Sequence, residues 1–172
     1  EALIRRFGRV VASLGGKYIT AEDVGTTTRD MEHIYTETEH VTGLPELMGG
    51  GGDPSPVTAY GVYLGMKACV KEVYGNDSLE GKKVLVQGVG KVGGHLVERL
   101  HKEGAKIMVA DVNEDALNHM AMNYGAKIIA NDDVVDQDMD IYSPCARGAV
   151  LNSDTIPQLK CSIVAGAANN QL

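Results

Sequence analysis

Val84-Leu85-Val86-Gln87-Gly88-Val89-Gly90-Lys91-Val92-Gly93 is the stretch that decides the fold. An apolar strand runs directly into a G-x-G-x-x-G turn. A helical pattern opens behind it, over Val92–Lys102, with Val92, Leu96, Val97 and Leu100 on one face. In that setting each glycine has its own task. Gly88 allows the tight turn, Gly90 lets backbone approach a pyrophosphate, and Gly93 lets helix pack on strand. The N–H groups and positive end of the new helix then hold the diphosphate. Gly88, Val89, Gly90, Lys91, Val92 and Gly93 are therefore the candidate cofactor loop, with Lys91 able either to assist the diphosphate or to point into water.

Downstream the text keeps alternating. Ile107–Ala110 reads as a strand, Glu114–Tyr124 as a helix and Lys127–Ile129 as a third strand. Asp140–Tyr142 and a buried Ser162–Ala165 supply two more. Strands separated by ten-residue helices make βαβ units, hence an α/β chain with a parallel sheet covered on both faces. Asp111 closes the second strand about 20 residues beyond Gly88, where an acidic side chain accepts hydrogen bonds from the adenosine ribose hydroxyls, with Val112 beside it. A 2′-phosphate there would meet Asp111, Glu114 and Asp115, and no Lys or Arg occurs between Val112 and Asn123. Two unit charges ~4 Å apart interact by roughly 4 kcal/mol at an effective dielectric of 20, so even a fraction of that favours NAD over NADP.

Upstream, Ala2, Leu3, Ile4, Phe7, Val10, Val11 and Leu14 follow helical spacing, closed by Gly15. Lys17–Thr20 reads as a short strand. A helix over Thr28–Thr38 begins at the capping box Thr27/Asp30, and Thr36–His40 reads as its solvated end. Gly49–Gly52 with Asp53-Pro54 forms a hinge-like connector. Ser55 and Pro56 then suit the N-cap and N1 of a long helix, Val57–Tyr74, stopped by Gly75. The glycine stretch divides the chain into regions 1–52 and 53–172. The opening on Glu1 without a cap, and a last strand so near the end, predict a piece of a longer enzyme.

Composition excludes several classes. Sixteen Lys+Arg against 23 Asp+Glu give a formal charge of −7, which speaks against a nucleic-acid footprint. The 3 cysteines form no CxxC and suit a reducing, cytoplasmic setting. No apolar run is long enough for a membrane helix, and no leader is expected. His33, His40, His95, His101 and His119 lack metal-ligand spacing, so no metal is expected. Met108, Met120, Met122 and Met139 read as core filling.

Several blocks in collinear order resemble the glutamate/leucine/phenylalanine/valine dehydrogenase superfamily. They are Ile19-Thr20-Ala21-Glu22-Asp23-Val24-Gly25-Thr26, Asp53-Pro54-Ser55-Pro56-Val57-Thr58-Ala59-Tyr60-Gly61-Val62, Leu79-Glu80-Gly81-Lys82, Ser143-Pro144-Cys145-Ala146, and Ile156-Pro157-Gln158-Leu159 followed by Ala165-Gly166. On the residues alone, Asp23 after the strand end reads first as a turn-former or helix-cap residue, and second as a carboxylate able to reach a cleft. The resemblance implies more: Asp23 as the catalytic aspartate exchanging protons with the substrate amine, and Thr58 as the hydrogen-bond partner of the nicotinamide carboxamide. It implies Cys145 and Ala146 beside the cofactor ribose, and Asn169 and Asn170 near nicotinamide and substrate, with the working Asn of the two left open. Here Asn169 is placed with the cofactor and Asn170 with the substrate. Ala21 matches a substrate-pocket position where phenylalanine dehydrogenases tend to carry Gly, so its methyl favours a branched aliphatic side chain by ~1–3 kcal/mol.

The resemblance further implies a Rossmann-type NAD-binding domain at 53–172, with its linking helix, and the tail end of an N-terminal α/β substrate domain with the hinge at 1–52. The activity implied is oxidative deamination of leucine, valine or isoleucine to the 2-oxo acid, ammonium and NADH, in a cytoplasmic homo-oligomer that uses neither nucleic acid nor membrane. There are departures. Gly93 stands where relatives often have Ala, and Lys91 where they often have Asn. The family's two active-site lysines match positions before Glu1, which predicts an inactive chain on its own. The alternatives are another amino acid dehydrogenase, or a non-catalytic module that senses NAD.

Overall fold

A computed structural model describes residues 1–170, so the last two positions of the expected second domain lie outside the described residues. The chain divides into two compact units, the first spanning Glu1–Pro54 and the second beginning at Ser55.

In the first unit, helix α1 (Ala2–Ser13) packs on helix α2 (Thr28–Tyr35). Met31, Ile34, Val41 and Leu44 form its core, with Ile4 against them. Gly8 permits the close approach, because a Cβ there would stand 3.1 Å from the Ile34 carbonyl oxygen. Thr27 and Asp30 make the expected reciprocal capping box. Other expectations need correction. Of the apolar stripe read on α1, Leu3, Phe7, Val10 and Leu14 are exposed. Lys17–Thr20 is no strand: Lys17 N–H turns back to Leu14 O, and only Thr20 pairs, in a single parallel bridge with Val41. The second helix stops at Tyr35, where Thr36 Oγ1 donates to His33 O (2.8 Å). Its end is not a solvated run, since Thr38 is buried and Glu37 takes Arg5 at 2.7 Å and Arg9 at 3.3 Å.

The second unit opens with helix α3 (Ser55–Tyr74). It continues through β1 (Lys83–Gln87), α4 (Lys91–Lys102), β2 (Lys106–Ala110), α5 (Glu114–Tyr124), β3 (Lys127–Ile128), β4 (Ile141–Pro144) and β5 (Ile163–Val164). All neighbouring strands are parallel, in the order β3-β2-β1-β4-β5. This is an α/β fold of the Rossmann type. The chain leaves β1 first towards β2 and β3, then returns to lay β4 on its other side. A crevice therefore opens beyond the carboxyl ends of β1 and β4, where parallel sheets place ligands.

Val84, Leu85 and Val86 are fully buried on alternating faces, as a central parallel strand requires. On one face Val84, Val86, Ile107 and Val109 pack against Met66 and Val70 of α3, Leu96 and Leu100 of α4, and Leu117 and Met120 of α5. The other face is covered too, and among the described residues of this unit no α-helix takes part in that cover. Ile129, Val134 and Met139 of the β3–β4 connection, with Leu159 and Cys161 of the β4–β5 connection, close over Leu85, Ala110 and Tyr142. These segments contain only single 3₁₀ turns, at Asn131–Asp133 and Ile156–Gln158. The expected buried strand Ser162–Ala165 shortens to a two-residue edge with Val164 half exposed, and Met122 points into solvent on α5 and fills no core.

Helices α3 and α4 are also joined by charge. Tyr63 Oη donates to Glu103 Oε1, and Lys67 Nζ stands 3.3 Å from Glu103 Oε2. The Tyr63 hydroxyl, then Lys67, holds the Glu103 carboxyl below its usual range. A lowered folded-state value means that this contribution is complete above the ordinary glutamate range and is lost as pH falls through the lowered value. Glu103→Gln is expected to flatten the acid limb of a stability profile taken by thermal melts between about pH 6 and about pH 3. Leu85→Ala is expected to cost about 2–5 kcal/mol in urea unfolding, against less than about 0.5 kcal/mol for Val164→Ala.

Candidate functional site

The glycine turn is built from contacts that differ at each glycine. Gly88 has φ +95°, and its N–H donates to Ala110 O at 2.7 Å. A Cβ on it would stand 2.7 Å from the Ala146 nitrogen. A Cβ on Gly93 would stand 1.8 Å from the Gly88 carbonyl oxygen, so the helix can begin this close to the strand only without a side chain. Gly90 is different. It caps α4 at φ −69° and ψ −153°, a conformation open to any residue, and a Cβ there meets nothing within 4 Å. Contacts inside the protein crowd Gly88 and Gly93, whereas Gly90 faces open space. The first rung of α4 runs from Gly94 N–H to Gly90 O (2.8 Å), so the N–H groups of Val92 and Gly93 precede the helix's own ladder and suit an anion.

Asp111 stands directly beside this turn. Its Oδ2 accepts the Val89 N–H at 2.6 Å and its Oδ1 accepts the Asn113 N–H at 2.9 Å. Both oxygens are thereby oriented, and each keeps a lone pair for a diol. Val112 next to it is 92% exposed, an apolar surface without a protein partner in the core. Asn113 then caps α5 through Oδ1 and the Ala116 N–H. The open side of Gly90 and the oriented carboxylate fit a dinucleotide's diphosphate and adenosine ribose.

The sheet brings Cys145 and Ala146 to the same place. Cys145 N–H donates to Gln87 O at 2.7 Å, and Ala146 lies against Gly88. Cys145 Sγ sits 3.4 Å from Ser143 Oγ, and burial pushes the thiol up, so it remains protonated and packs as a small apolar group. The loop bearing Asn169 and Asn170 folds onto the segment after β4: Ala168 N–H donates to Pro144 O (2.9 Å) and Ala149 N–H to Asn170 O (2.8 Å). Both asparagines are exposed, and Asn170 holds φ +53°. Thr58 lies in the first turn of α3, exposed beside buried Ala59, and Lys91 is exposed at the start of α4.

In the first unit, Ala21 and Asp23 line one open depression of about 360 Å³ together with Phe7, Tyr18, Ile19 and Thr26. Asp23 begins a turn through Gly25 (φ +81°) that Thr26 closes. Thr26 Oγ1 accepts the Asp23 N–H at 2.9 Å and Asp23 O accepts the Thr26 N–H at 3.0 Å. The Asp23 carboxylate is steadied by the Val24 N–H at 2.7 Å.

Three residues that no spacing rule singles out join this edge of the sheet. Tyr142 Oη donates to Gln87 Oε1, Gln87 Nε2 donates to Asn131 Oδ1 at 3.3 Å, and Asn131 Nδ2 donates to Asp111 O at 2.9 Å. They come from three separate segments, so only the strand order unites them. Among the described residues, no group of three or more His, Cys, Asp or Glu gathers to hold a metal, and no helix is long and apolar enough to cross a membrane.

Residues 49–114 match the family model for Glutamate/Leucine/Phenylalanine/Valine dehydrogenase. Leucine dehydrogenase of Bacillus subtilis (strain 168) is 54% identical over 172 residues, which take in all of this chain and 47% of the relative. The chain is homologous to the amino acid dehydrogenases. The crystal structure of L-tryptophan dehydrogenase from Nostoc punctiforme superposes with a TM-score of 0.75 at 41% identity, over 99% of this chain and 48% of that one. Hetero-hexameric glutamate dehydrogenase from Thermus thermophilus superposes at 0.78 with 24% identity, over 99% of this chain and 46% of that one, which speaks to the fold alone. This dehydrogenase homologue spans about half the length of the curated relatives it matches.

Gly93 and Gly90 are separable by stability. Gly93→Ala is expected to lower the thermal midpoint by roughly 3–10 °C, because the added methyl overlaps the Gly88 carbonyl, while Gly90→Ala shifts it by under about 3 °C.

Proposed function

We propose that this chain carries the NAD-binding part, and one face of the substrate site, of a dehydrogenase that deaminates branched aliphatic L-amino acids. Leucine, valine and isoleucine would yield the 2-oxo acid, ammonium and NADH. The observation that carries this reading is the Asp111 carboxylate seated on the glycine turn through the Val89 N–H (2.6 Å), beside the cleared space at Gly90. Homology to leucine dehydrogenase along the whole chain supports the reaction class.

When bound, the coenzyme accepts a hydride from the substrate Cα. The chain's own residues would hold it: Val92 and Gly93 N–H groups at the diphosphate with Lys91 beside them, and Asp111 with Val112 at the adenosine. Cys145 and Ala146 would lie at the second ribose, and Thr58 and Asn169 at the nicotinamide. A 2′-phosphate would face the Asp111 carboxylate with Glu114 and Asp115 close behind, which favours NAD over NADP. Asp23 would exchange a proton with the substrate amine nitrogen. Asn170 would contact the substrate, and the Ala21 methyl would narrow its pocket towards a branched side chain. A cytoplasmic homo-oligomer completes the reading.

Calorimetry should register NAD at least about tenfold tighter than NADP, and Asp111→Ser should erase that preference. In the full-length protein, NADH absorbance with a panel of amino acids should rank leucine, valine and isoleucine above phenylalanine. Asp23→Asn should reduce kcat by about 10²–10⁴ while leaving NAD affinity unchanged. NAD uptake no tighter than that of NADP would overturn the coenzyme assignment, and full turnover by Asp23→Asn would overturn the proton role.

A further inference from the structure

The parallel ladder between β2 and β3 ends too early to hold the Asp111 carbonyl. Its last bond runs from Ile129 N–H to Val109 O (2.8 Å). The next donor from the β3 side of a parallel ladder would be the backbone N–H of residue 131, to Asp111 O. The chain instead turns into a 3₁₀ segment at Asn131–Asp133. The Asn131 side chain supplies the missing rung, donating Nδ2–H to Asp111 O at 2.9 Å. Its own amide is set by the Gln87 Nε2–H at 3.3 Å, and Gln87 is set in turn by the buried Tyr142 hydroxyl. The hydroxyl keeps its proton over the whole working range, since burial pushes Tyr142 up to about 12. Every donor in this row therefore points one way, from β4 across β1 to the end of β2.

We infer that Asn131, aligned by Gln87 and Tyr142, is a positioning residue that fixes Asp111 for the coenzyme's adenosine ribose and thereby sets the preference for NAD over NADP. The inference rests on the coenzyme reading above and adds a residue outside the glycine fingerprint. Asp111 is gripped on two sides. Val89 and Asn113 N–H groups orient its carboxylate, and Asn131 anchors its backbone where the sheet has run out. Without that anchor the carboxylate spends time off the ribose, which weakens NAD but costs NADP little, because NADP gains nothing from a well-placed anion.

The test is a double-mutant cycle read by calorimetry on the purified protein with NAD and with NADP, alongside thermal melts. Asn131→Ala should raise the NAD Kd about tenfold, the loss expected for one well-formed hydrogen bond, and shrink the NAD/NADP ratio by a similar factor. In an Asp111→Ala background the same substitution should change neither Kd by more than about twofold. Asn131→Asp, which can only accept and adds charge beside Asp111, should weaken NAD at least as much as Asn131→Ala. Equal loss of NAD and NADP affinity would reduce Asn131 to a structural residue. An undiminished effect in the Asp111→Ala background would make it a direct coenzyme contact. Either result, or an unchanged NAD Kd in both variants, overturns the inference while leaving the coenzyme reading intact. A wild-type protein that takes up no NAD overturns both.

Discussion

The hydrogen bond from Val89 N–H to Asp111 Oδ2 fastens the turn after β1 to the end of β2, and most of the carboxyl edge depends on it. A glycine turn with φ +95° at its first residue has few internal contacts to hold its shape. Here a carboxylate from the neighbouring strand accepts one of its amides, and the Gly88 N–H returns a second bond to Ala110 O. The turn can then bring Gly93 so near the Gly88 carbonyl that no side chain fits between them. A charge-assisted bond of this kind is stronger than a neutral one, and it turns a flexible loop into a fixed cradle.

Much of this was legible in the sequence because the signals were local. The strand at Val84–Gln87, the glycine spacing and the Asp at the end of the next strand lie within one βαβ unit, and the structure reproduces that unit almost residue for residue. The capping box Thr27/Asp30 was readable for the same reason, since its donors and acceptors lie three residues apart. Non-local features were not legible. The row from Tyr142 through Gln87 and Asn131 to Asp111 draws on four segments brought together by strand order, and no periodicity records it. Glu37 looks like a solvated charge until α1 supplies Arg5 and Arg9.

The misread elements share a physical cause. Lys17–Thr20 has strand composition, yet a strand exists only where a partner offers a ladder, and Val41 offers a single bridge. Met122 has a core side chain but occupies the solvent side of α5, where helical phase outweighs residue type. The expectation of a sheet covered on both faces came from the βαβ alternation, which does not say what supplies the second cover. That alternation ends after α5, and the remaining connections carry only single 3₁₀ turns. Burial of both sheet faces is still achieved, by apolar residues on loops.

That loop-made cover has a dynamic consequence. A helix resists opening through its own ladder, whereas the segments over Leu85 and Tyr142 are held mainly by side-chain burial and scattered bonds, so they are expected to open more easily than the helices of the opposite face. Their ends carry Asn131 and Ala146, which border the crevice. A molecule lodged in the crevice therefore lends its free energy of association to the closed cover. Slow amide exchange beneath the loops and tight retention of the guest become two measures of one equilibrium.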